Sequence, residues 1–172
     1  MPGKTAAEME IPLWLQLNKV SRKCMEALTA RLGHLGITRH YFLVAAIGAG
    51  RGSLTQQQLA DLLDTDKVTM VGILDYLAKA GFVRRIPGRT DRRERLIVLT
   101  PKAEKALPEI KQVIAALSQR ALAGLPKEFA RGFPEALTRM KAELEKAAGE
   151  ARLAQAGRVA RPAKTRPGIS RL

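Results

Sequence analysis

Apolar residues near the start of the chain recur with the spacing of one face of an α-helix. The positions are Leu13, Leu17, Val20, Cys24 and Leu28. Steps of three and four residues place side chains on one side of a helix. The pattern therefore predicts a helix from about Pro12 to Leu32 that ends at Gly33.

A second apolar stretch, from Tyr41 to Ile47, is hydrophobic almost all round. A helix with no polar face is usually buried, so this segment is predicted to be the central helix of the core. Thr38 is the expected N-cap, and Gly48 and Gly50 are expected to end the helix.

Two short helices with a tight turn between them are predicted next. Thr55 and Gln58 have the spacing of a capping box, in which a hydroxyl and an amide satisfy backbone N–H groups at a helix start. The expected inner face of this first helix is Leu59, Leu62 and Leu63. The second helix is expected to follow Asp66 as N-cap and to end at Gly81. Its expected inner residues are Met70, Ile73, Leu74 and Leu77. The pair forms a helix-turn-helix unit.

Two β-prone runs, Phe82–Ile86 and Leu96–Leu99, flank a Pro87-Gly88 turn signal and predict a hairpin. Six arginines but only two acids lie in this region, so a lattice of surface ion pairs cannot balance the charge. The arginines are Arg84, Arg85, Arg89, Arg92, Arg93 and Arg95, and the acids are Asp91 and Glu94. A basic hairpin beside a helix pair suits DNA, because a helix fits the major groove and arginines can enter a narrow minor groove.

Two longer helices are expected after the hairpin. Thr100 followed by Pro101 is a strong helix start, and that helix should end near Gly124 with a bend at Pro108. The last helix is expected over residues 127–148, interrupted at Pro134. Residues 151–172 carry six basic residues and no acid, which predicts a flexible cationic tail from about residue 149.

Composition narrows the class of protein. The chain has 172 residues, a formal charge of +14 and 46% hydrophobic residues. This excess of positive charge favours a polyanionic partner, first nucleic acid and then an anionic membrane. No apolar run approaches the roughly 20 residues that span a bilayer, and residues 1–10 lack the apolar core of a secretory signal. With the single cysteine Cys24, this predicts a cytoplasmic protein without a disulfide framework.

Catalytic chemistry finds little support in the sequence. One cysteine and two histidines offer no nucleophile–base pair and no metal-ligand spacing. Gly48–Gly52 lacks the Lys-Ser/Thr of a phosphate-binding loop. We therefore expect no enzyme activity, no metal and no cofactor.

The order of these elements and three sequence strings resemble the MarR family of bacterial winged-helix transcription regulators. The strings are Leu59-Ala60, Leu77 to Val83 with Gly81, and Asp91-x-Arg93-x-x-x-Ile97-x-Leu99-Thr100. The resemblance covers about residues 11–147. It implies a mainly α fold with a small β-hairpin wing, and an obligate homodimer joined by the first and last helices. It also implies repression or sometimes activation of nearby genes, often relieved by a small aromatic or other anionic ligand.

This resemblance divides the chain into five parts. They are an N-terminal arm (1–10), linking and dimerisation helices (11–50), a winged helix-turn-helix (51–100), C-terminal dimerisation helices (101–148) and the basic tail (149–172). Near-palindromic half-sites about one helical turn, or ~34–36 Å, apart are expected.

The second helix of the helix-turn-helix departs from the family pattern. Members often carry a Ser-Thr-Val-Thr-Arg string where this chain has Val68-Thr69-Met70-Val71-Gly72, so the operator preferences of typical members do not carry over. On its outer face the valines can contact thymine methyl groups, and Gly72 can allow close backbone approach. The alternative is a solvated face with incidental valines. Thr55 and Gln56 could donate to phosphate as well as cap their helix.

The wing is expected to divide its residues between scaffold and DNA contact. The resemblance implies that Asp91 pairs with Arg93 or Arg85 to hold the wing in shape. Arg89 and Arg92 are then free at the tip, and Arg92→Ala is expected to weaken operator binding and lower its salt slope by about one unit. The full set of predicted DNA-binding residues is Thr55, Gln56, Thr65, Lys67, Val68, Thr69, Val71, Gly72, Arg84, Arg85, Arg89, Thr90, Arg92 and Arg93.

The resemblance implies a ligand site between the dimer helices and the winged-helix body. The candidates combine flat apolar surface with donors for an anion, and they are Trp14, Asn18, Arg22, His40 and Tyr41. Each also has an ordinary interpretation as a core, dimer, cap or solvated residue. Cys24 is interpreted as a buried small hydrophobe, with a cysteine-based redox sensor as the alternative.

Two further functions remain as alternatives. One is an architectural protein that binds DNA without sequence preference, which the affinity ratio over random DNA would reveal. The other is an interaction protein held on anionic membrane by its basic tail, which predicts liposome binding lost on deleting residues 151–172.

Overall fold

The computed structural model describes residues 11–88 and 94–159, with side chains up to residue 155. Its elements in chain order are α1 (Leu13–Leu32), a 3-10 turn (Gly33–Leu35), α2 (Tyr41–Ala49), α3 (Gln56–Leu62), α4 (Lys67–Lys79), β1 (Val83–Pro87), β2 (Arg95–Leu99), α5 (Pro101–Leu122) and α6 (Lys127–Val159). The chain divides into two compact units, residues 1–121 and 122–172. The predicted class, mainly α with one small antiparallel hairpin, is confirmed.

α1 begins after Pro12 and ends at Gly33, as its apolar spacing predicts. Only its C-terminal half enters the core, where Leu28 and Leu32 are fully buried. The N-terminal half of the apolar stripe is exposed, with Val20 63% accessible. A helix that leaves half of its apolar face uncovered is a candidate for association with another surface.

α2 is the central helix of the core, as predicted. Tyr41, Leu43, Val44 and Ile47 are all buried, and the surrounding helices and the hairpin pack against it. The predicted N-cap at Thr38 is wrong. His40 is the N-cap residue, and its side chain makes no capping hydrogen bond. Thr38 instead adopts a left-handed backbone with φ 50°, and its hydroxyl forms a hydrogen bond with the Tyr76 hydroxyl.

The helix-turn-helix is confirmed, including both of its caps. Thr55 and Gln58 form the complete capping box, and the Asp66 carboxylate accepts from the Thr69 N–H at 2.9 Å. The expected inner face of α3 is wrong in part. Leu62 is 60% exposed and Leu63 is also exposed, because α3 ends there and only Leu59 and Ala60 face the core.

The predicted hairpin is confirmed, and it pairs Val83 with Leu99 and Arg85 with Ile97. β1 begins and ends one residue later than the predicted run, and β2 begins one residue earlier. Gly81, with φ 74°, makes the turn from α4 into β1, a conformation that favours glycine. The Ile97 N–H donates to the Leu54 carbonyl at 2.9 Å, which ties β2 to the start of the helix-turn-helix.

α5 agrees with its predicted extent, and α6 requires two corrections. α5 starts at the expected Thr100 cap and continues through Pro108, and α6 continues through Pro134 instead of being interrupted there. A proline removes one helical donor, and the other hydrogen bonds of a long helix can maintain it. α6 also extends to Val159, beyond the expected end near residue 148, because residues 151–155 are mostly strong helix formers. The first part of the predicted flexible tail is therefore helical.

Candidate nucleic-acid interface

The outer face of α4 is open to solvent along its length. Met70, Leu74 and Leu77 anchor the opposite face in the core. The predicted contact residues Lys67, Val68, Thr69 and Gly72 are exposed, and Val71 is half-buried. Val68 is 81% accessible, an unusual exposure for a β-branched apolar residue on a helix that is otherwise well anchored.

Gly72 lies in the middle of this face, and packing does not explain the absence of its side chain. A Cβ built on Gly72 would meet no atom within 4 Å. Glycine in a helix interior costs about 1 kcal/mol relative to alanine. An exposed glycine with free space above it therefore lowers helix stability while allowing another molecule to approach the backbone.

Local capping holds the N-terminal ends of both short helices. The Thr55 hydroxyl accepts from the Gln58 N–H at 3.2 Å, and the Thr69 hydroxyl donates to Asp66 at 2.5 Å. The pKa of the Asp66 carboxyl is lowered, first by the Thr69 hydroxyl and then by the Thr69 backbone N–H. Gln56 and Thr65 are half-buried beside these caps.

The two arginines at the base of the hairpin lie in different environments. Arg85 forms an ion pair with Asp75 of α4, with 2.8 Å between its Nη1 and the carboxylate Oδ1. Arg84, on the opposite face of β1, lines a cavity of about 460 Å³ together with Arg51 and Glu104. The sequence did not predict the ion pair with Asp75. The predicted pairing of Asp91 with Arg93 or Arg85 lies outside the described residues.

The remaining predicted wing residues lie outside the described part of the chain. They are Arg89, Thr90, Asp91, Arg92 and Arg93. Within the described part, the Gly88 N–H donates to the Glu94 carbonyl at 3.0 Å and brings the two strand ends together below the tip.

The structure brings two of the five candidate ligand residues together. Asn18 and Arg22 line a groove of about 740 Å³ between α1 and the segment before α2, where Thr38 and Arg39 form the other wall. Trp14 is 73% exposed and is not among the lining residues. Tyr41 is fully buried, and its hydroxyl has no hydrogen-bond partner among the described residues.

His40, the fifth candidate, packs against α4 instead of lining the groove. Its ring meets the Tyr76 ring edge-on at 5.6 Å between centroids. Burial lowers the pKa of His40, and the neighbouring Arg39 cation lowers it further. The Tyr76 hydroxyl lies 2.7 Å from the Gly36 carbonyl oxygen and 2.9 Å from the Thr38 hydroxyl. Sequence patterns do not reveal these contacts, because the partners lie 38 to 40 positions apart.

Cys24 is half-buried at the margin of the core, less enclosed than the interpretation as a buried hydrophobe assumed. Among residues 11–88 and 94–159, no group of three or more metal-ligating side chains comes together. No helix in this described part is both long and apolar enough to cross a membrane.

Comparison with known proteins agrees with this geometry. A family model described as the MarR family matches residues 35–94. The transcriptional regulator PA3341 is 32% identical, with a TM-score of 0.68 over 78% of this chain and 99% of that chain.

Two other structures similar to this chain are complexes with DNA. A cysteine-to-serine mutant of MarR from E. coli, complexed with operator DNA, is 26% identical, with a TM-score of 0.65 over 76% of this chain and 94% of that chain. The MepR–DNA complex from S. aureus is 20% identical and shares the fold, with a TM-score of 0.70 over 78% and 99% of the two chains. The identity and coverage of the PA3341 match, together with the family-model match, show that the chain belongs to the MarR family of transcriptional regulators.

Proposed function

We propose that the protein is a sequence-specific DNA-binding repressor that binds a near-palindromic operator as a homodimer and is released by a small anionic ligand. The observation that carries the proposal is the outer face of α4. It presents the exposed Val68 and the open backbone at Gly72 beside a hairpin held to the same helix through Arg85.

The chemistry of this face suits a major groove. Val68 and Val71 offer methyl groups that can contact the thymine C5-methyl, and Lys67 at the helix start can reach a phosphate. Gly72 allows the helix backbone to approach base edges more closely than any other residue would. The net charge of +14 supplies the non-specific attraction on which such contacts depend.

Dimer formation is supported by apolar side chains that a single chain leaves exposed. On α1 and just before it they are Ile11, Leu13, Trp14, Leu15 and Val20, and on α6 they are Phe129, Leu137, Leu144 and Leu153. Exposed apolar stripes of this kind mark association surfaces. A second copy of the chain that covers them would present two α4 helices to successive major grooves, about 34–36 Å apart.

The proposed ligand is a small molecule with an apolar body and an acidic group. Arg22 and Arg39 supply positive charge on the two walls of the groove, and Met25 and Ala30 supply apolar surface. Arg39 has no carboxylate partner within the described part of the chain, whereas Arg22 lies 4.0 Å from Glu26. Such a ligand would release DNA only if it bound the DNA-free conformation more tightly than the DNA-bound one.

Selection from a random DNA pool tests the proposal. The wild-type protein should enrich one sequence with two inverted half-sites about 10 base pairs apart, centre to centre. A thymine at the position nearest Val68 is expected in each half-site. Enrichment of no sequence would favour the architectural alternative, and binding to anionic liposomes with no preference for DNA would favour the membrane alternative.

As a regulator of genes, the protein would act in the cytoplasm.

A further inference from the structure

We infer that Tyr76 is the positioning residue through which the groove controls the recognition helix α4. This inference rests on the proposed function, because it assigns the route by which a bound ligand changes DNA affinity. Tyr76 does not contact the groove itself, and it acts through the segment Gly36–Arg39.

The Tyr76 phenol joins α4 to this segment by hydrogen bonds. The Tyr76 hydroxyl donates to the Gly36 carbonyl at 2.7 Å. A phenol has one proton, so the Thr38 hydroxyl must donate to the Tyr76 oxygen across the second distance of 2.9 Å. The His40 ring adds an edge contact to the same aromatic ring. Two residues of the segment and the adjacent His40 therefore converge on one side chain of α4.

The segment is also a wall of the groove. Thr38 and Arg39 line it opposite Asn18 and Arg22 of α1. Any molecule that fills the groove between the two arginines must therefore contact the residues that hold Tyr76. The same short stretch of backbone serves both sites, and no longer chain of contacts is needed between them.

The backbone of this segment is strained at Thr38. Gly36 has φ 67° and Thr38 has φ 50°, both in the left-handed region. A β-branched residue seldom adopts that region, and it stays there only when its surroundings hold it. The bond from the Thr38 hydroxyl to Tyr76 is one such constraint. A ligand that draws Thr38 or Arg39 toward α1 would compete directly with it.

The position of Tyr76 explains how such a movement would reach DNA. Tyr76 follows Asp75, the residue that pairs with Arg85 of the hairpin, and it shares α4 with Val68 and Gly72. Release of Tyr76 would therefore affect the helix that carries the proposed base contacts and the attachment of the wing together. Because Tyr76 is 38% exposed, removal of its hydroxyl creates no buried cavity.

A covalent probe tests the inference without knowledge of the natural ligand. In a Cys24→Ala background, Ser21→Cys places a thiol in the groove. Its thiolate attacks the disulfide of dithiobis(nitrobenzoate), which releases one thionitrobenzoate thiolate and leaves the other attached as an aromatic carboxylate in the groove. Affinity for the selected DNA is measured with and without the label, in this parent and with Tyr76→Phe added. Tyr41→Phe is the matched control, since Tyr41 is the other tyrosine of the chain and does not line the groove.

We expect labelling to weaken DNA binding at least tenfold in the parent and in the Tyr41→Phe control, but less than twofold with Tyr76→Phe. A merely structural role for Tyr76 would change the labelled and unlabelled affinities equally and leave their ratio at the parental value. An unchanged ratio with Tyr76→Phe, or no effect of the label in the parent, overturns the inference.

Hydrogen exchange separates this outcome from failure of the proposed function. Labelling should speed exchange of the α4 amides in the parent and not with Tyr76→Phe, and this measurement needs no DNA. If the unlabelled protein selects no DNA sequence, the proposed function fails and exchange alone decides the coupling. Equal exchange changes in both proteins would then contradict it.

Discussion

The Arg85 guanidinium of β1 lies 2.8 Å from the Asp75 carboxylate of α4, which joins the wing to the recognition helix by an ion pair. Both side chains are partly exposed, so the pair contributes little to folding free energy. Its importance is geometric, because the two elements proposed to contact DNA are held at one relative position. The pair also neutralises an arginine that would otherwise count among the free cations of the hairpin.

A double-mutant cycle should measure this pair. We expect Asp75→Asn and Arg85→Gln each to lower the free energy of unfolding by less than about 1 kcal/mol, with a coupling energy of roughly 0.2–1 kcal/mol. Urea unfolding at low and high salt provides the measurement, and the coupling should weaken at high salt. Additive effects at low salt would show that the pair does not form in solution.

The same pair predicts the salt dependence of DNA binding. Because Asp75 already balances Arg85, Arg85→Gln should weaken DNA binding while leaving the slope of log affinity against log salt nearly unchanged. A residue whose free charge meets a phosphate would instead lower the slope by about one unit when neutralised. A decrease of that size for Arg85→Gln would show that the Arg85 side chain contacts a phosphate directly.

Gly72→Ala should separate stability from DNA affinity. Alanine is favoured over glycine in a helix by about 1 kcal/mol, and the open space above Gly72 leaves room for the methyl group. The variant should therefore be more stable and yet bind the selected DNA at least several-fold more weakly. Thermal unfolding and a binding titration measure the two effects.

Gly132→Ala is the matched control for this pair of effects. Gly132 lies inside α6, and a Cβ built there also meets no atom within 4 Å. It should stabilise the protein similarly and leave DNA affinity unchanged. Equal DNA affinities for Gly72→Ala and wild type would show that the backbone at Gly72 is not closely approached.

Much of the fold could be predicted because it depends on local signals. The Thr55–Gln58 capping box, the Asp66 cap and the apolar face of α4 are each set within one helical turn or two. The prediction for Thr38 failed because a contact with Tyr76, 38 positions away, overrides its preference for a helix cap. The pattern of neighbouring residues in the sequence cannot predict such contacts.

In the candidate site, too, the features set by local sequence could be predicted and those set by distant contacts could not. Exposure of Val68 and Gly72 followed from helical periodicity, because Met70, Leu74 and Leu77 had to face the core. The ion pair between Arg85 and Asp75 did not follow, because it depends on how α4 packs on the hairpin, which local sequence does not specify. Similarly, burial of Tyr41 removed it from the groove although its type suited a ligand site.

Val20→Glu should weaken the dimer without unfolding the chain. Val20 is 63% exposed, so a carboxylate there costs little in one protomer but would be desolvated in an apolar interface. Sedimentation should show a larger monomer fraction, with helix content by circular dichroism preserved. Thr29→Glu, which adds the same charge to an exposed position on the opposite side of α1, should have the smaller effect. Equal effects would argue against an interface centred on Val20.

The stability of the protein should fall as pH decreases through the range in which histidine titrates. Burial and Arg39 lower the pKa of His40, so the folded state binds its proton less readily than the unfolded state. The neutral ring therefore contributes stability that is present above the ordinary histidine pKa of about 6.5 and is lost as pH falls through the lower folded value. Unfolding free energies measured from about pH 7.5 to 5.5 should show this decrease.

His40→Gln should make that decrease smaller. His34→Gln provides the control, because His34 is the other histidine of the chain and lies 3.4 Å from Glu109 instead of packing on Tyr76. The His34→Gln protein should keep the decrease seen in wild type. A His40→Gln protein with the full wild-type decrease would assign the effect to other groups.

If the exposed face of α4 recognises a particular DNA sequence, the protein must bind the selected site more tightly than random DNA of equal length. Both affinities are measured with the wild-type protein at one fixed, near-physiological salt concentration. We expect a ratio of at least about 10³, as for specific DNA-binding proteins. A ratio near one would contradict it, because binding would then depend on the positive charge of the chain alone.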